Sequence, residues 1–515
     1  MTGSNRIILN TLASYAQSLI GLVLTLFSAR WLLMALGHTD YGLFGVVGST
    51  ILLMTVMTGG LSVGISRFYA FSIGEAKNRM PEDSHDDLLR WFNAAFSIHI
   101  VLPVLIVLLG TPLGEYAIKN WLTIPEGRLA ASVWVFRISM LSALVNVFAV
   151  PFVSMLNAHQ RIYVVAATGI LRSICTFVIA WAMLHAEGDR LITYAAYMAA
   201  SGGVIQFILI FSAYRSFPAC RVRLAYCFEW QRIQQLFSFT GWKMFGMSCV
   251  ALRQQGTPIV INLHFGPVVN AAYSVAISLS NQANALSAAL TRAFQPALVT
   301  AEGGGDREQM LSMAMRVCKF GTLLVMAFAI PAIIEMENLL QLWLVDPPEH
   351  AAAICQWLLA MLIVDRLTGG HTLAVNAYGK IAVYELVQGT ILFSAVPLMA
   401  LCFVAGFGPA AVGYALFFTV VVYCGGRVLF AKKLVGFPFL LWLKQVALPM
   451  AMLLVISAAI LLLIVSGFER SLSRILFSVS LSVLTLGIGA WLMLLDSKEK
   501  LWVRLSISKM QAKLM

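Results

Sequence analysis

Apolar runs of about 20 residues recur along the whole chain, and short polar segments separate them. A run of about this length crosses the hydrocarbon core of a bilayer as an α-helix. A membrane β-barrel would show strictly alternating segments of about ten residues instead. The pattern predicts about 14 spans, which we place at Asn10–Leu36, Tyr41–Ser66, Trp91–Ile118, Ala131–Asn157, Ile162–His185, Leu191–Tyr214, Phe239–Asn262, Val268–Val299, Met313–Val345, Ala351–Ala377, Ile381–Ala405, Ala410–Phe430, Trp442–Val465 and Ile475–Leu495.

The composition also points to an all-α polytopic membrane protein. Only 11% of the 515 residues are charged and 60% are hydrophobic, whereas a soluble domain carries about 25% charged residues. The net charge of +12 suits cytoplasmic loops that face anionic lipid, and we expect no nucleic-acid partner. The eight cysteines lie mostly within spans and lack metal-ligand spacing. We therefore expect buried thiols, no metal and no other cofactor.

Lysine and arginine are distributed unevenly between the two sides of the membrane. When the N-terminus is placed inside, the outer segments hold only Lys119, Arg128, Arg190, Arg470 and Arg474. The remaining loop cations then lie inside, which is the usual bias of cytoplasmic loops. The distribution predicts an even number of spans with both termini in the cytoplasm.

An internal repeat divides the chain. The segment Asn157–Ile162 matches Asn376–Ile381, 219 positions later, and weaker echoes pair Gly37 with Gly266 and Arg67 with Arg292. Six spans separate the partners, so both halves share one orientation and the repeat is parallel. The predicted organisation is an N-lobe (1–214), a basic cytoplasmic linker (215–237), a C-lobe (238–431), an extra helix pair (432–496) and a basic tail (497–515).

Polar residues at helical spacing form stripes on the first two spans of each half. Gln17 belongs to a stripe on the first span, Lys243 and Gln254 lie on the seventh, and Asn284 and Arg292 lie on the eighth. Such stripes line a polar cavity or pack helices tightly against one another. Because they occur at matching places in both halves, we favour a cavity between the two lobes.

Charged residues within the predicted spans are the sharper signal. Arg172, Arg253, Asp365 and Arg366 lie well inside their spans, where a charge costs at least about 2.5–3.5 kcal/mol. Asp365 and Arg366 are adjacent and point about 100° apart, so we do not expect them simply to pair on one face. Arg30 lies toward an outer end, where its side chain could instead extend to lipid headgroups.

The excess of buried cations over acids predicts an anionic ligand. Arginine binds phosphate oxygens in pairs, and amide and hydroxyl side chains suit sugar hydroxyls. A lipid-linked oligosaccharide diphosphate combines both features, and its tail could stay in the bilayer. His371 follows Asp365 on the same span and has two interpretations, a packed histidine or a coupling group.

Several segments resemble a known family. They are Asn10-Thr11-Leu12, Ala35 to Gly42, Ser66-Arg67-Phe68, Phe265 to Ala272 and Gln295-Pro296. They resemble the bacterial polysaccharide transporter, or Wzx-like flippase, branch of the multidrug/oligosaccharidyl-lipid/polysaccharide (MOP) flippase superfamily. The resemblance extends over nearly the whole chain.

The resemblance implies a two-lobed, V-shaped transporter of the bacterial inner membrane that works by alternating access. Its activity would be translocation of an undecaprenyl-diphosphate-linked oligosaccharide from the cytoplasmic to the periplasmic leaflet, for surface polysaccharides such as O-antigen or exopolysaccharide. Polysaccharide polymerase machinery would be a partner. Relatives bind the diphosphate with cavity cations, which implies that role for Arg30, Arg172, Arg253 and Arg366. Some relatives use H⁺ or Na⁺ gradients, which implies a coupling role for Asp365.

Three alternatives remain at the level of sequence. A cation-coupled multidrug antiporter of the same superfamily would need more buried carboxylates than this chain has. A membrane scaffold would gain nothing from buried charges. A glycosyltransferase would need a large outer loop or a pair of catalytic acids, and we therefore expect a transporter that is not an enzyme.

Overall fold

The computed structural model describes residues 3–49, 52–76, 81–120, 124–125, 127–344, 347–465, 467–497 and 499–501. Throughout these ranges the regular structure is helical and no strand occurs. This confirms the predicted all-α class. Most of the predicted tail, from residue 502 onward, lies outside the described residues, as does Lys498.

Eighteen α-helices follow one another in the described ranges. They are α1 (Gly3–Ser49), α2 (Leu52–Glu75), α3 (Pro81–Leu105), α4 (Thr111–Asn120), α5 (Leu129–Ala158), α6 (Ile162–Ala182), α7 (Arg190–Ser216), α8 (Trp230–Gly303), α9 (Arg307–Ile334), α10 (Met336–Leu344), α11 (Ala351–Leu367), α12 (Gly369–Tyr378), α13 (Ala382–Phe393), α14 (Ala395–Val404), α15 (Ala411–Val435), α16 (Phe439–Trp442), α17 (Leu448–Val465) and α18 (Leu472–Gly489). Short π-helical turns at Ile106–Gly110, Leu443–Ala447 and Ala490–Leu494 extend or join some of them.

The number of spans is only partly confirmed. Among the described residues, nine helical segments are long and apolar enough to cross a membrane, and ten if α11 and α12, bent by 43°, count as one span. The predicted count of 14 is therefore not confirmed. The two longest helices, α1 and α8, each contain one residue with non-helical dihedral angles, Gly37 and Gly266.

These two glycines mark the positions at which the sequence predicts turns. Gly37 and Gly266 both have φ 73°, a left-handed conformation that glycine adopts without steric cost. The stronger repeat also has a common geometry, since Gln160 has φ 58° and its counterpart Gly379 has φ 95°. Gln160 follows α5 and Gly379 follows α12, the two helices that contain the repeated Asn-Ala pair. Both helices therefore end in a residue with positive φ just beyond them.

The described residues form two compact units. Unit 1 comprises the described residues up to Ser248 together with Arg292–Met310, and unit 2 comprises Cys249–Thr291 and the described residues from Leu311 onward. In unit 1, α1 packs along α6, and α5 packs against α7 and α2. In unit 2, α15 packs against α11 and α12, and α17 packs against α18. The predicted lobe boundaries stay a prediction.

A close helix crossing joins α2 to the C-terminal end of α8 in unit 1. A Cβ atom at Gly74 would lie 2.2 Å from the carbonyl oxygen of Thr300, and one at Gly303 would lie 2.2 Å from that of Phe71. Both positions lack space for any side chain larger than hydrogen. The two backbones therefore touch directly, as small residues permit at helix interfaces in membranes.

In each unit, a Phe-Pro pair that directly follows a long helix packs on a histidine. Phe217, just after α7, stacks on His159 with ring centroids 4.0 Å apart. Phe437, just after α15, stacks on His371 at 4.1 Å. The two interplanar angles, 28° and 27°, are nearly equal. His371 is fully buried, and its Nδ1 lies 3.6 Å from the Cys318 sulfur, which is the environment of a packed histidine.

Candidate functional site

A polar cavity of about 220 Å³ lies within unit 1. Five helices contribute to it: α1, α2, the end of α5, the start of α6, and the C-terminal part of α8. Its lining consists of Ser14, Gln17, Ser62, Val63, Ser66, Arg67, Asn157, Ile162, Val165, Ala166, Arg292, Gln295, Pro296 and Val299. Two guanidinium groups and three side-chain amides thus meet in one small space, with no carboxylate among the lining residues.

The polar residues of α1 have both of the roles considered in the sequence analysis: some line the cavity, and one packs helices together. Ser14 and Gln17 line the cavity. Asn10, one turn earlier, is completely buried, and its amide donates to the carbonyl oxygen of Gln160 at 2.9 Å while its Oδ1 accepts from the Tyr163 backbone N–H at 3.1 Å. Asn10 therefore fixes the turn between α5 and α6, which carries cavity residues.

The two cations enter the cavity from different helices. Arg67 of α2 lies among three aromatic rings, with its guanidinium carbon 5.1 Å from the centroids of Phe68 and Phe239 and 5.3 Å from that of Phe71. Such ring faces attract a cation and restrict its position. Arg292 of α8 is more exposed. The sequence analysis named Arg292 as a site residue but missed Arg67, although the weak echo of Ser66-Arg67 in Thr291-Arg292 contained that signal.

The other predicted cations of unit 1 lie outside this cavity. Arg172 is exposed on α6, seven residues after the lining residue Val165, and so on nearly the same helix face, about two turns further along. Arg30 is exposed on α1 and lies about 160° around the helix from Ser14. That placement agrees with the alternative in which Arg30 extends toward headgroups. Lys243 is half-buried on α8 and does not line the cavity.

A second charged cluster lies in unit 2 around Asp365. Arg366 donates from Nε to Asp365 Oδ2 at 2.9 Å, and from Nη2 to the same oxygen. Arg427 of α15 donates from Nη1 to Oδ1 at 2.9 Å and to the Asp365 carbonyl oxygen at 3.0 Å. Arg427 itself is 7% exposed and was not predicted as a site residue. The Tyr423 hydroxyl accepts a further hydrogen bond from Nη2 of Arg427 at 3.0 Å.

The expectation that Asp365 and Arg366 do not pair is wrong. The helix α11 ends at Leu367, and Thr368 adopts φ −112° and ψ 8° before α12 begins. The last residues of α11 lack helical partners for their carbonyl groups, so Arg427 can bind the carbonyl and the carboxylate of Asp365 together. The long Arg366 side chain folds back onto its neighbour, which an argument from Cβ directions did not consider.

The remaining predicted residues of unit 2 flank this cluster. Arg253 on α8 lies within electrostatic reach of Asp365 and Tyr273. Its Nη1 atom is buried, and neither that atom nor Asn284 Oδ1 has a hydrogen-bond partner in the described part of the chain. Gln254 is exposed. Two arginines thus bind the Asp365 carboxylate and a third lies nearby, so these four side chains together carry net positive charge.

Comparison with solved structures identifies the fold. A MATE in complex with MaL6 aligns with a TM-score of 0.74 at 12% identity, covering 85% of this chain and 97% of that chain. An outward-facing multidrug resistance MATE family transporter of the MOP superfamily aligns with a TM-score of 0.73 at 13% identity, over 85% and 96%. A MOP superfamily transporter from Pyrococcus furiosus, described by a binding pocket of reverse polarity that suggests a different function, aligns with 0.71 at 14%, over 85% and 96%. At these identities the likeness shows the fold alone, that of multi-pass membrane transporters.

The family follows from the sequence itself. Residues 5–301 match the model of the polysaccharide biosynthesis protein family, and the chain belongs to this family. Membership confirms the predicted resemblance to the MOP flippase superfamily. No curated protein matches the chain significantly.

Proposed function

We propose that the chain moves a lipid-linked oligosaccharide diphosphate across the bacterial inner membrane, from the cytoplasmic to the periplasmic leaflet, by alternating access. The observation that carries this proposal is the unit 1 cavity, in which Arg67 and Arg292 meet amide and hydroxyl side chains without a carboxylate. Guanidinium groups bind phosphate oxygens in pairs. Family membership supports a saccharide as the rest of the substrate.

The size of the cavity limits what it would hold. Its volume of about 220 Å³ is below the roughly 300–1,000 Å³ of typical ligand pockets. The cavity would therefore bind the charged end of the substrate, with Arg67 and Arg292 on the diphosphate and Gln17 on a nearby sugar hydroxyl. The rest of the oligosaccharide and the lipid tail would extend beyond it.

Asp365 is our candidate for a coupling group, with H⁺ or Na⁺ as the ion. Protonation of its carboxylate, or binding of Na⁺ to it, would weaken its bonds to Arg366 and Arg427 and change the charge that the cluster presents. The packing of His371 against Phe437 and Cys318 supports a structural role for that residue. The membrane potential would also help, since outward movement of each negative charge is favourable by about 2.3 kcal/mol per 100 mV.

The test is flipping of a fluorescent lipid-diphosphate oligosaccharide in proteoliposomes. We expect Arg67→Gln and Arg292→Gln each to slow flipping by about 10- to 100-fold, because a hydrogen bond to a charged group contributes about 1.5–3 kcal/mol. Arg30→Gln is the matched control, since it removes the same charge from the opposite face of α1, and it should keep nearly the full rate.

Two results would contradict the proposal. Equal flipping rates for the wild-type protein and both cavity variants would show that this cavity is not the anion site. A wild-type protein that moves a cationic dye but no lipid-linked diphosphate would be a multidrug antiporter.

A further inference from the structure

The connection between α7 and α8 exposes several large apolar side chains. In residues 217–230, Leu224 is 81% exposed, Phe228 78% and Trp230 71%, and Val222 is exposed as well. All four lie within 14 residues of the end of α7, which is itself long and apolar enough to cross a membrane. Apolar side chains in such a position need a partner that keeps them from water.

Contacts with α3 hold the connection in a defined shape. The Asn93 side chain on α3 donates to the Arg221 carbonyl oxygen at 3.1 Å and accepts from the Arg223 backbone N–H at 2.7 Å. Cys220 and Cys227 are buried beside it, at 0% and 4% exposure. Because one face is fixed to unit 1 in this way, the opposite face presents its apolar side chains in a preformed arrangement.

The exposed charges of this connection that form no ion pair are positive. Arg215, Arg221 and Arg223 are exposed, and none of their guanidinium groups donates a hydrogen bond to a residue in the described ranges. The neighbouring acids are already paired. Those pairs are Asp86 with Arg90 at 2.7 Å, Asp87 with Arg232 at 2.6 Å, and Glu229 with Arg90 at 3.2 Å and with Arg232 at 2.8 Å.

We propose that residues 215–230 form a docking surface for the anionic phospholipids of the adjacent leaflet. Tryptophan and phenylalanine insert at the level of the headgroups, and exposed arginines bind lipid phosphates. The surface follows a membrane-crossing helix directly, so it meets the headgroup layer without any rearrangement. The positive-inside distribution assigns this layer to the cytoplasmic leaflet. The inference does not depend on the transported substrate.

An environment-sensitive fluorophore at Ala225, within the connection, tests the proposal. The full-length protein with Ala225→Cys is labelled with a hydrophilic NBD-maleimide. Wild type treated with the same reagent gives the blank, because the native Cys175 and Cys402 are only partly buried. Cys220 and Cys227 are buried, and burial raises the pKa of the Cys220 thiol to about 12 and also raises the pKa of Cys227, which disfavours their reaction with the maleimide. The labelled protein is placed in nanodiscs of phosphatidylcholine alone, or with increasing phosphatidylglycerol.

We expect phosphatidylglycerol to shift the emission to the blue and to protect the label from acrylamide. Salt at about 1 M should reverse both effects, because it shortens the Debye length to about 3 Å. Arg221→Gln and Arg223→Gln should each reduce the docking equilibrium about fivefold, the equivalent of about 1 kcal/mol per cation. The control Lys119→Gln/Arg470→Gln removes two exposed charges from segments predicted to lie outside, and it should dock like the parent.

Three results would overturn the proposal. The first is an identical spectrum in neutral and anionic discs. The second is an equal loss of docking in the control variant, which would show that docking depends only on the net charge of the protein. The third is protection that rises with protein concentration in detergent without lipid, which would assign the surface to a second copy of the chain.

Discussion

At the scale of single residues, the guanidinium groups of Arg366 and Arg427 compensate the negative charge of Asp365, and Asp365 compensates their positive charges. Its side chain is 16% exposed, and those of Arg366 and Arg427 are 20% and 8% exposed. Removing one member of a largely buried ion pair leaves the other charge uncompensated, which costs more than the pair itself contributes. Asp365 is the acid that both arginines share, so its loss affects two charges.

We therefore expect Asp365→Asn to lower the free energy of unfolding by about 3–5 kcal/mol. Arg427→Gln should cost less, because Asp365 keeps Arg366 as a partner. In the Arg427→Gln background, Asp365→Asn should cost less than half of its effect in the wild type, since only one charge then loses its partner. Unfolding in detergent, followed by intrinsic fluorescence, gives the three values. Strictly additive effects would show that the two residues do not act as a pair.

The same cluster shows what residue patterns could predict and what they could not. The position of Asp365 and Arg366 inside a span indicated functional charges, but the expectation that these two residues do not pair with each other was wrong. Arg427 was overlooked because its sequence context resembles a helix end facing the cytoplasm, and its partner lies 62 positions away. A contact at such a distance depends on how helices pack, which the spacing of polar residues along one helix does not encode.

At the scale of helices, the crossing of α2 and α8 depends on two glycines. A methyl group at Gly74 or Gly303 would overlap a backbone carbonyl of the other helix, and neither backbone can move as freely as a side chain. The sequence analysis predicted a span in the region of α2, and it predicted two spans separated near Gly266 where the structure has α8 with one non-helical residue. It could not predict this crossing, because a glycine within an apolar helix indicates close packing without indicating the partner.

Gly303→Ala should lower the free energy of unfolding by about 1–3 kcal/mol through overpacking, and it should slow flipping. Gly241→Ala is the matched control in the same helix, since a Cβ there has nothing within 4 Å. That change should leave stability equal or raise it by up to about 1 kcal/mol, because alanine favours the helix. Thermal unfolding and the proteoliposome assay measure the two effects. If the two variants behave alike, the crossing does not constrain the fold.

At the scale of the whole molecule, the repeat is visible in geometry as well as in sequence. The matching backbone angles at Gly37 and Gly266 and the left-handed residues Gln160 and Gly379 support two halves built on one plan. The sequence predicted the fold class and these turns, because glycine placement and apolar run length act locally. The cavity around Arg67 is formed by residues of five helices, and no local signal in the sequence specifies that these helices come together.

The contact between α2 and α8 has a further consequence for a protein in an energised membrane. Protons cross a protein along files of water molecules, and a file needs a gap at least one molecule wide. Where Gly74 and Gly303 bring two backbones into direct contact, no space remains for a water molecule between them. The crossing therefore excludes water at one end of the surface that α2 and α8 share, about one to two turns from the polar cavity that both helices line.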